Sequence, residues 1–162
     1  SLEISDCDYV TDVGIMDGVL LEGNHKEKMK ELRLSVMTNL TENVILRMSY
    51  FYENLSVLDL GGVASAVTDN TIQMIFRHMK LLRFLNVESC CKLTDYGFTG
   101  VTSEYARRCH SIRNLKGLQV LRANGLHKLT DFTLVDGFVF NELKELYMAR
   151  CNVSCENQFM TF

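Results

Sequence analysis

An apolar phrase of the form Leu-x-x-Leu-x-Leu returns along the chain, and a period of this kind constrains the fold more than any other feature. The copies are Met29-x-x-Leu32-x-Leu34, Leu55-x-x-Leu58-x-Leu60, Leu82-x-x-Leu85-x-Val87, Leu118-x-x-Leu121-x-Ala123 and Leu143-x-x-Leu146-x-Met148. Leu2-x-Ile4 is the tail of an earlier copy. The last apolar positions, 4, 34, 60, 87, 123 and 148, are spaced by 30, 26, 27, 36 and 25 residues. A second phrase keeps the same register. Thr11-Asp12, Thr41-Glu42, Thr68-Asp69, Thr94-Asp95 and Thr130-Asp131 lie seven or eight residues beyond each marker, and the last copy has Ser154-Cys155 near that place.

Alternating apolar residues put two side chains of a short strand on one buried face. A single such strand cannot bury that face, whereas stacked copies in a parallel sheet share a continuous core. The Thr is placed to cap a helix through its hydroxyl, and the acid after it sits in the first turn, where negative charge suits the helix dipole. Ile72, Ile75, Phe76 and Met79 then follow Thr68-Asp69 at helical spacing. Each unit is therefore predicted as strand, turn and helix. The whole is an α/β solenoid of about six repeats, with parallel strands on the concave face and helices on the convex face. The units lie near 1–28, 29–54, 55–81, 82–117, 118–142 and 143–162, within one domain over 1–162. The chain opens on Ser1 and half a repeat, so a fragment of a longer protein is expected.

Composition excludes several other classes. With 162 residues, 47% apolar and 23% charged, the chain is long enough for its own core. A net charge of −3 and the lack of a long basic block argue against a nucleic-acid partner. No apolar run is long enough to cross a bilayer, and no secretory signal stands at the start, so no membrane role is expected. The six cysteines are expected as reduced thiols, because a chain of this size does not need disulfides. Asn-x-Ser/Thr triplets at Asn39, Asn54 and Asn152 match a glycosylation pattern that is common by chance.

The phrases resemble the cysteine-containing subclass of leucine-rich repeats, in which Cys stands three residues after the last strand Leu and a Leu/Ile/Val-Thr-Asp triplet follows. Cys7 with Val10-Thr11-Asp12, Cys90 with Leu93-Thr94-Asp95, and Cys151 carry the likeness. Met37, Val63 and Leu126 occupy the Cys position in the other copies. The subclass is similar to that of F-box/LRR proteins. The resemblance implies substrate recognition in an SCF-type (Skp1-cullin-F-box) ubiquitin ligase, with Skp1 and the cullin reached only through an F-box outside these residues. An alternative is a structural repeat protein in a larger ciliary, axonemal or cytoskeletal assembly. Cys or an aliphatic residue at the turn, where extracellular repeats of this type usually have Asn, points to an intracellular setting, cytoplasmic and conceivably nuclear or ciliary.

No residue pattern points to catalysis, a cofactor or a metal. Cys90-Cys91 and Cys151-x-x-x-Cys155 lack a second ligand pair at zinc spacing. His25, His78, His110 and His127 stand beside no nucleophile motif. Gly61-Gly62 reads as a tight exit from a strand, since no Walker Lys follows. The functional expectation rests on the residues that face outward between the buried ones. Val57, Phe84 and Val120 are predicted to form an exposed apolar stripe on neighbouring strands, and such stripes mark interaction sites. Arg33, Asn86, Arg122 and Tyr147 lie in the next row, and Arg and Tyr are enriched at binding hot spots. The plainer expectation is a cross-strand charge ladder Glu3-Arg33-Asp59 with Phe84 covered by a loop. The long fourth unit adds Arg107, Arg108, Arg113 and Lys116, read either as a solvated basic helix or as a second docking patch for an acidic partner.

Overall fold

The computed structural model describes residues 1–20, 28–101, 110–138 and 142–154. Six short strands form one parallel sheet: β1 (Leu2–Glu3), β2 (Glu31–Arg33), β3 (Val57–Asp59), β4 (Phe84–Asn86), β5 (Val120–Arg122) and β6 (Glu145–Tyr147), in that order. The register pairs Leu2, Leu32, Leu58, Leu85, Leu121 and Leu146 across the sheet. The fold is α/β, and its sequential parallel sheet is compatible with a stacked-repeat solenoid. Leu32, Leu58, Leu85 and Leu121 are fully buried, as are Leu34, Leu60, Val87 and Ala123 after them. They pack with the helix side chains Val44, Ile45, Met48, Ile72, Ile75 and Phe76 in one continuous core.

Each strand leaves the sheet through the same turn. Two residues past each marker the backbone is left-handed: Asp6, Val36, Gly62, Ser89, Gly125 and Arg150 have φ between 56° and 77°. The turn lets the N–H groups of Asp6, Val36, Gly62, Ser89 and Gly125 reach the carbonyls of Ser35, Gly61, Glu88, Asn124 and Ala149 in the next repeat. The ladder therefore continues beyond the three-residue strands.

The helices are less regular than the repeat predicts. Among the described residues, only α2 (Glu42–Phe51) and α3 (Asp69–His78) run to ten residues. α1 (Asp12–Ile15) passes at once into a π-helical turn, Met16–Leu20. α4 (Asp95–Thr99) stops at Gly100, whose φ of 69° makes a left-handed cap. Thr130-Asp131 leads into a π-helical turn, Thr133–Gly137. Glycine sets these segments apart. Gly14, Gly18, Gly97 and Gly137 fall in these segments, and each costs about 1 kcal/mol relative to Ala in a helix, whereas α2 and α3 contain none.

The Thr-Asp phrases join repeats as well as capping them. Thr41, Thr68, Thr94 and Thr130 accept from backbone N–H groups one turn ahead, while Thr11 makes no such bond. The Asp carboxylate bridges to the next copy. Asp12 accepts from the Thr41 N–H (2.8 Å) and hydroxyl. Asp69 accepts from the Thr94 N–H (2.8 Å) and hydroxyl (2.6 Å). Asp95 accepts from the Thr130 N–H (2.9 Å) and hydroxyl (2.6 Å) and from the Thr133 hydroxyl. Asp131 accepts from the Ser154 N–H (2.8 Å). At the junction after Glu42, Thr68 instead closes a capping box with Thr71.

Candidate protein-binding face

The helices cover one side of the sheet, and the residues between the buried leucines lie on the other. Backbone register makes each row continuous. Glu31, Val57, Phe84, Val120 and Glu145 are paired neighbours, as are Glu3, Arg33, Asp59, Asn86, Arg122 and Tyr147. Strand spacing of about 4.8 Å brings side chains along each row within reach of one another.

The apolar stripe differs from its expectation. Val57, Phe84 and Val120 are half-buried, and two guanidiniums lie over Phe84. Arg33 lies 5.6 Å from the ring centroid and Arg122 5.9 Å from it. Arg122 also lies 5.1 Å from the Tyr147 ring. Arg122 reaches Phe84 diagonally from the neighbouring strand, whereas Arg33 reaches it from β2 across β3, and the ring quadrupole attracts the cation by about 0.5–1 kcal/mol per contact at such sites. The result is a stack Arg33–Phe84–Arg122–Tyr147 across β2, β4, β5 and β6. Arg122 and Tyr147 are its exposed members.

Asn86 corrects the outward-facing row. Only 7% of it is exposed. Its amide donates to Asp59 (3.0 Å), and its carbonyl oxygen accepts from the Glu88 N–H (3.0 Å). Asp59 also accepts from the Gly61 N–H (3.0 Å). The chain of bonds goes on from Asn124 to Glu88, and from the Ala149 N–H to Asn124 (2.7 Å). Asn86 thus ties its own repeat to the one before and has little surface to offer. The expected charge ladder takes another form: Arg33 pairs with Glu31 of its own strand at 3.9 Å.

Most other acids on this side are engaged by neutral donors. The Tyr147 hydroxyl donates to Glu145 (2.9 Å), and that bond raises the Tyr147 pKa above its ordinary value. A further row was missed in the sequence. Lys30, Ser56, Arg83, Gln119 and Lys144 run along the rim where the strands begin, linked by backbone bonds from each N–H to the previous carbonyl. Lys30, Arg83 and Lys144 are exposed. The same register, moved back by one residue, would have found this row.

The second basic patch is reduced. Arg107 and Arg108 lie outside the described residues. Arg113 sits in a 3-10 turn, Ile112–Asn114, and pairs with Asp136 of the next repeat at 3.7 Å. Lys116 is exposed. The turn is held down by Ile112 and Leu115, both fully buried.

The thiols at the Cys position act in the frame. Cys90 is fully buried and donates to the Leu60 carbonyl (3.3 Å), and burial pushes its pKa up to about 12. Cys151 donates to the Ala123 carbonyl (3.2 Å). Cys7 is half-buried and donates to Ser5 (3.3 Å). Among the described residues, no group of three or more His, Cys, Asp or Glu could hold a metal ion. None of the described helices is long and apolar enough to cross a membrane.

No family model matches the chain, and no curated protein matches its sequence. Among solved structures, a chain of the yeast Rad7–Elc1 complex superposes with a TM-score of 0.56 at 15% identity. The match covers 93% of this chain and 40% of that one, so this chain spans less than half the length of the structure it resembles. At that identity the likeness is one of fold.

Proposed function

We propose that this chain is a leucine-rich-repeat solenoid that holds a partner protein against the open, concave face of its sheet. It is read as the substrate-recognition part of an SCF-type ubiquitin ligase, itself non-catalytic and intracellular. The carrying observation is the Arg33–Phe84–Arg122–Tyr147 stack. Ring contacts hold two arginines over the centre of a surface that spans several repeats, and ordered aromatic and Arg side chains at the centre of a surface are the usual anchors of binding energy. Two further observations support the reading. The fold is shared with a chain that was solved in complex with another protein, Elc1. The four described cysteines, Cys7, Cys90, Cys91 and Cys151, are free thiols, in keeping with a reducing compartment.

The test is affinity purification of the full-length protein from its own cells, as wild type and as Phe84→Ala/Arg122→Ala. The expected result is Skp1 and a cullin with both forms, and a further protein with the wild type only. Retention in a salt-resistant assembly without Skp1 or a cullin would sink the ligase role and favour a scaffold. An unchanged set of partners in the double variant would refute the face, provided the variant melts as a folded protein.

A further inference from the structure

We propose that the partner presents an acidic segment to β4–β6, with one carboxylate held by Arg122 and a neighbouring apolar side chain against Val120 and the edge of Phe84. This deepens the preceding reading and rests on it. The carboxylates of β2 to β6 and their strand exits already hold donors. Glu31 has Arg33, Asp59 has Asn86 and the Gly61 N–H, Glu88 has Asn124, and Glu145 has the Tyr147 hydroxyl. The cations are not matched in this way. Among the described residues, no carboxylate lies within ion-pair distance of Lys30, Arg83, Arg122 or Lys144. Arg83 donates only to the Gly117 carbonyl, at 3.3 Å.

Arg122 is the focus among them. Its guanidinium carbon lies over the Phe84 ring at 5.9 Å and over the Tyr147 ring at 5.1 Å. Two ring contacts restrict the side chain and use none of its N–H donors. A planar fork held in place loses little freedom when a carboxylate binds it through two oxygens. Val120, two residues earlier on the same strand, lies on the same face and is half-buried. Arg83 and Lys144 stand at the rim of β4 and β6, where they add positive potential along the path of a segment crossing these strands. Across β4–β6 the three cations Arg83, Arg122 and Lys144 outnumber the two carboxylates Glu88 and Glu145, whose partners are neutral donors, so the balance is positive and the partner that complements it is acidic.

The probe is a phage-displayed library of random dodecapeptides, selected on the protein. Selected peptides are expected to be rich in Asp or Glu beside a large apolar residue. Arg122→Gln should weaken them by about tenfold or more, since hydrogen bonds to charged groups contribute about 1.5–3 kcal/mol. Arg122→Lys should fall between, because it keeps the charge and loses the fork. Loss of the two ring contacts should lower the melting temperature of Arg122→Gln by no more than a few degrees, so that both variants stay folded in the binding assay. A Val57→Gln/Val120→Gln variant separates the two readings. Peptides that lose binding to that variant, yet lack acids and ignore Arg122→Gln, overturn the acidic inference and leave the face standing. Peptides that bind that variant as well as wild type, or a library that yields no binder, overturn both.

Discussion

At the scale of single residues, the left-handed turn after each strand is the position under most tension. Six residues occupy it, and only Gly62 and Gly125 are glycines. Val36 is the worst fitted, since its branched side chain at φ 56° meets a conformation that costs an ordinary residue about 1–2 kcal/mol. Its side chain is also 46% exposed, so removing it forfeits little burial. Val36→Gly is expected to raise stability by about 0.5–1 kcal/mol once the extra entropy of glycine in the unfolded chain is subtracted. A higher denaturant midpoint at unchanged slope would show this, and a lower midpoint would refute the strain. Gly62→Ala should act in the opposite sense, because its Cβ would lie 3.3 Å from the Val36 Cα at a φ of +77°. This turn was only partly legible in the sequence. Gly61-Gly62 marks one strand exit, but Asp, Val, Ser and Arg at the equivalent places give no hint of a positive φ. Asn86 was misread for a related reason: alternation told its side of the sheet, while its burial comes from Asp59 and Glu88, and neither shows in a pattern of apolar residues.

At the scale of elements, capping and stacking are one device. Thr41, Thr94 and Thr130 each accept from an N–H of their own helical segment, and the Asp of the unit before takes their N–H and hydroxyl. Asp95 is the richest case, with three donors from Thr130 and Thr133. Removing it would leave those donors near the interface of two short helical segments. Asp95→Ala is expected to destabilise by about 2–3 kcal/mol, as hydrogen bonds to a charged group contribute more than neutral ones. Glu42→Ala is the control and should change stability by less than about 0.5 kcal/mol, because the next Thr is served by the Thr68–Thr71 capping box. Equal losses for the two substitutions in chemical denaturation would disprove the bridging role. The repeat made the Thr-Asp phrase legible and its N-cap role followed, since capping is local. The bridge was not legible, because donor and acceptor stand 23 to 38 residues apart. Helix length also escaped the pattern. Thr94-Asp95 starts α4 as well as Thr68-Asp69 starts α3, but Gly97 and Gly100 end it within five residues. Gly97 has its own reason to be small, since a Cβ there would come within 2.4 Å of an Asp69 carboxylate oxygen.

Across the whole molecule, stacking makes stability a matter of position. Sheet order follows sequence order, so among the described strands β3 and β4 have a neighbour and a further strand on each side, while β1 and β6 have a neighbour on one side only. Such arrays behave as a sum of unit and interface terms, and their ends open at lower cost than their middle. This much follows from the period, because five spacings set the register and the register sets every row. What the rows hold was less legible, because guanidiniums settling over Phe84 and Tyr147 depend on diagonal contacts between repeats of unequal length. Two amides test the gradient directly. The Val87 N–H bonds to the Arg122 carbonyl (2.9 Å), and the Ile4 N–H bonds to the Arg33 carbonyl (2.9 Å). Their hydrogen bonds are alike, but Val87 is fully buried within the core and Ile4 only partly buried against it. Native-state hydrogen exchange should therefore find Val87 opening near the free energy of global unfolding and Ile4 opening at least about 2 kcal/mol below it. Equal free energies would mean that the repeats unfold as one cooperative block. A binding face that spans β2 to β6 would then be lost all at once.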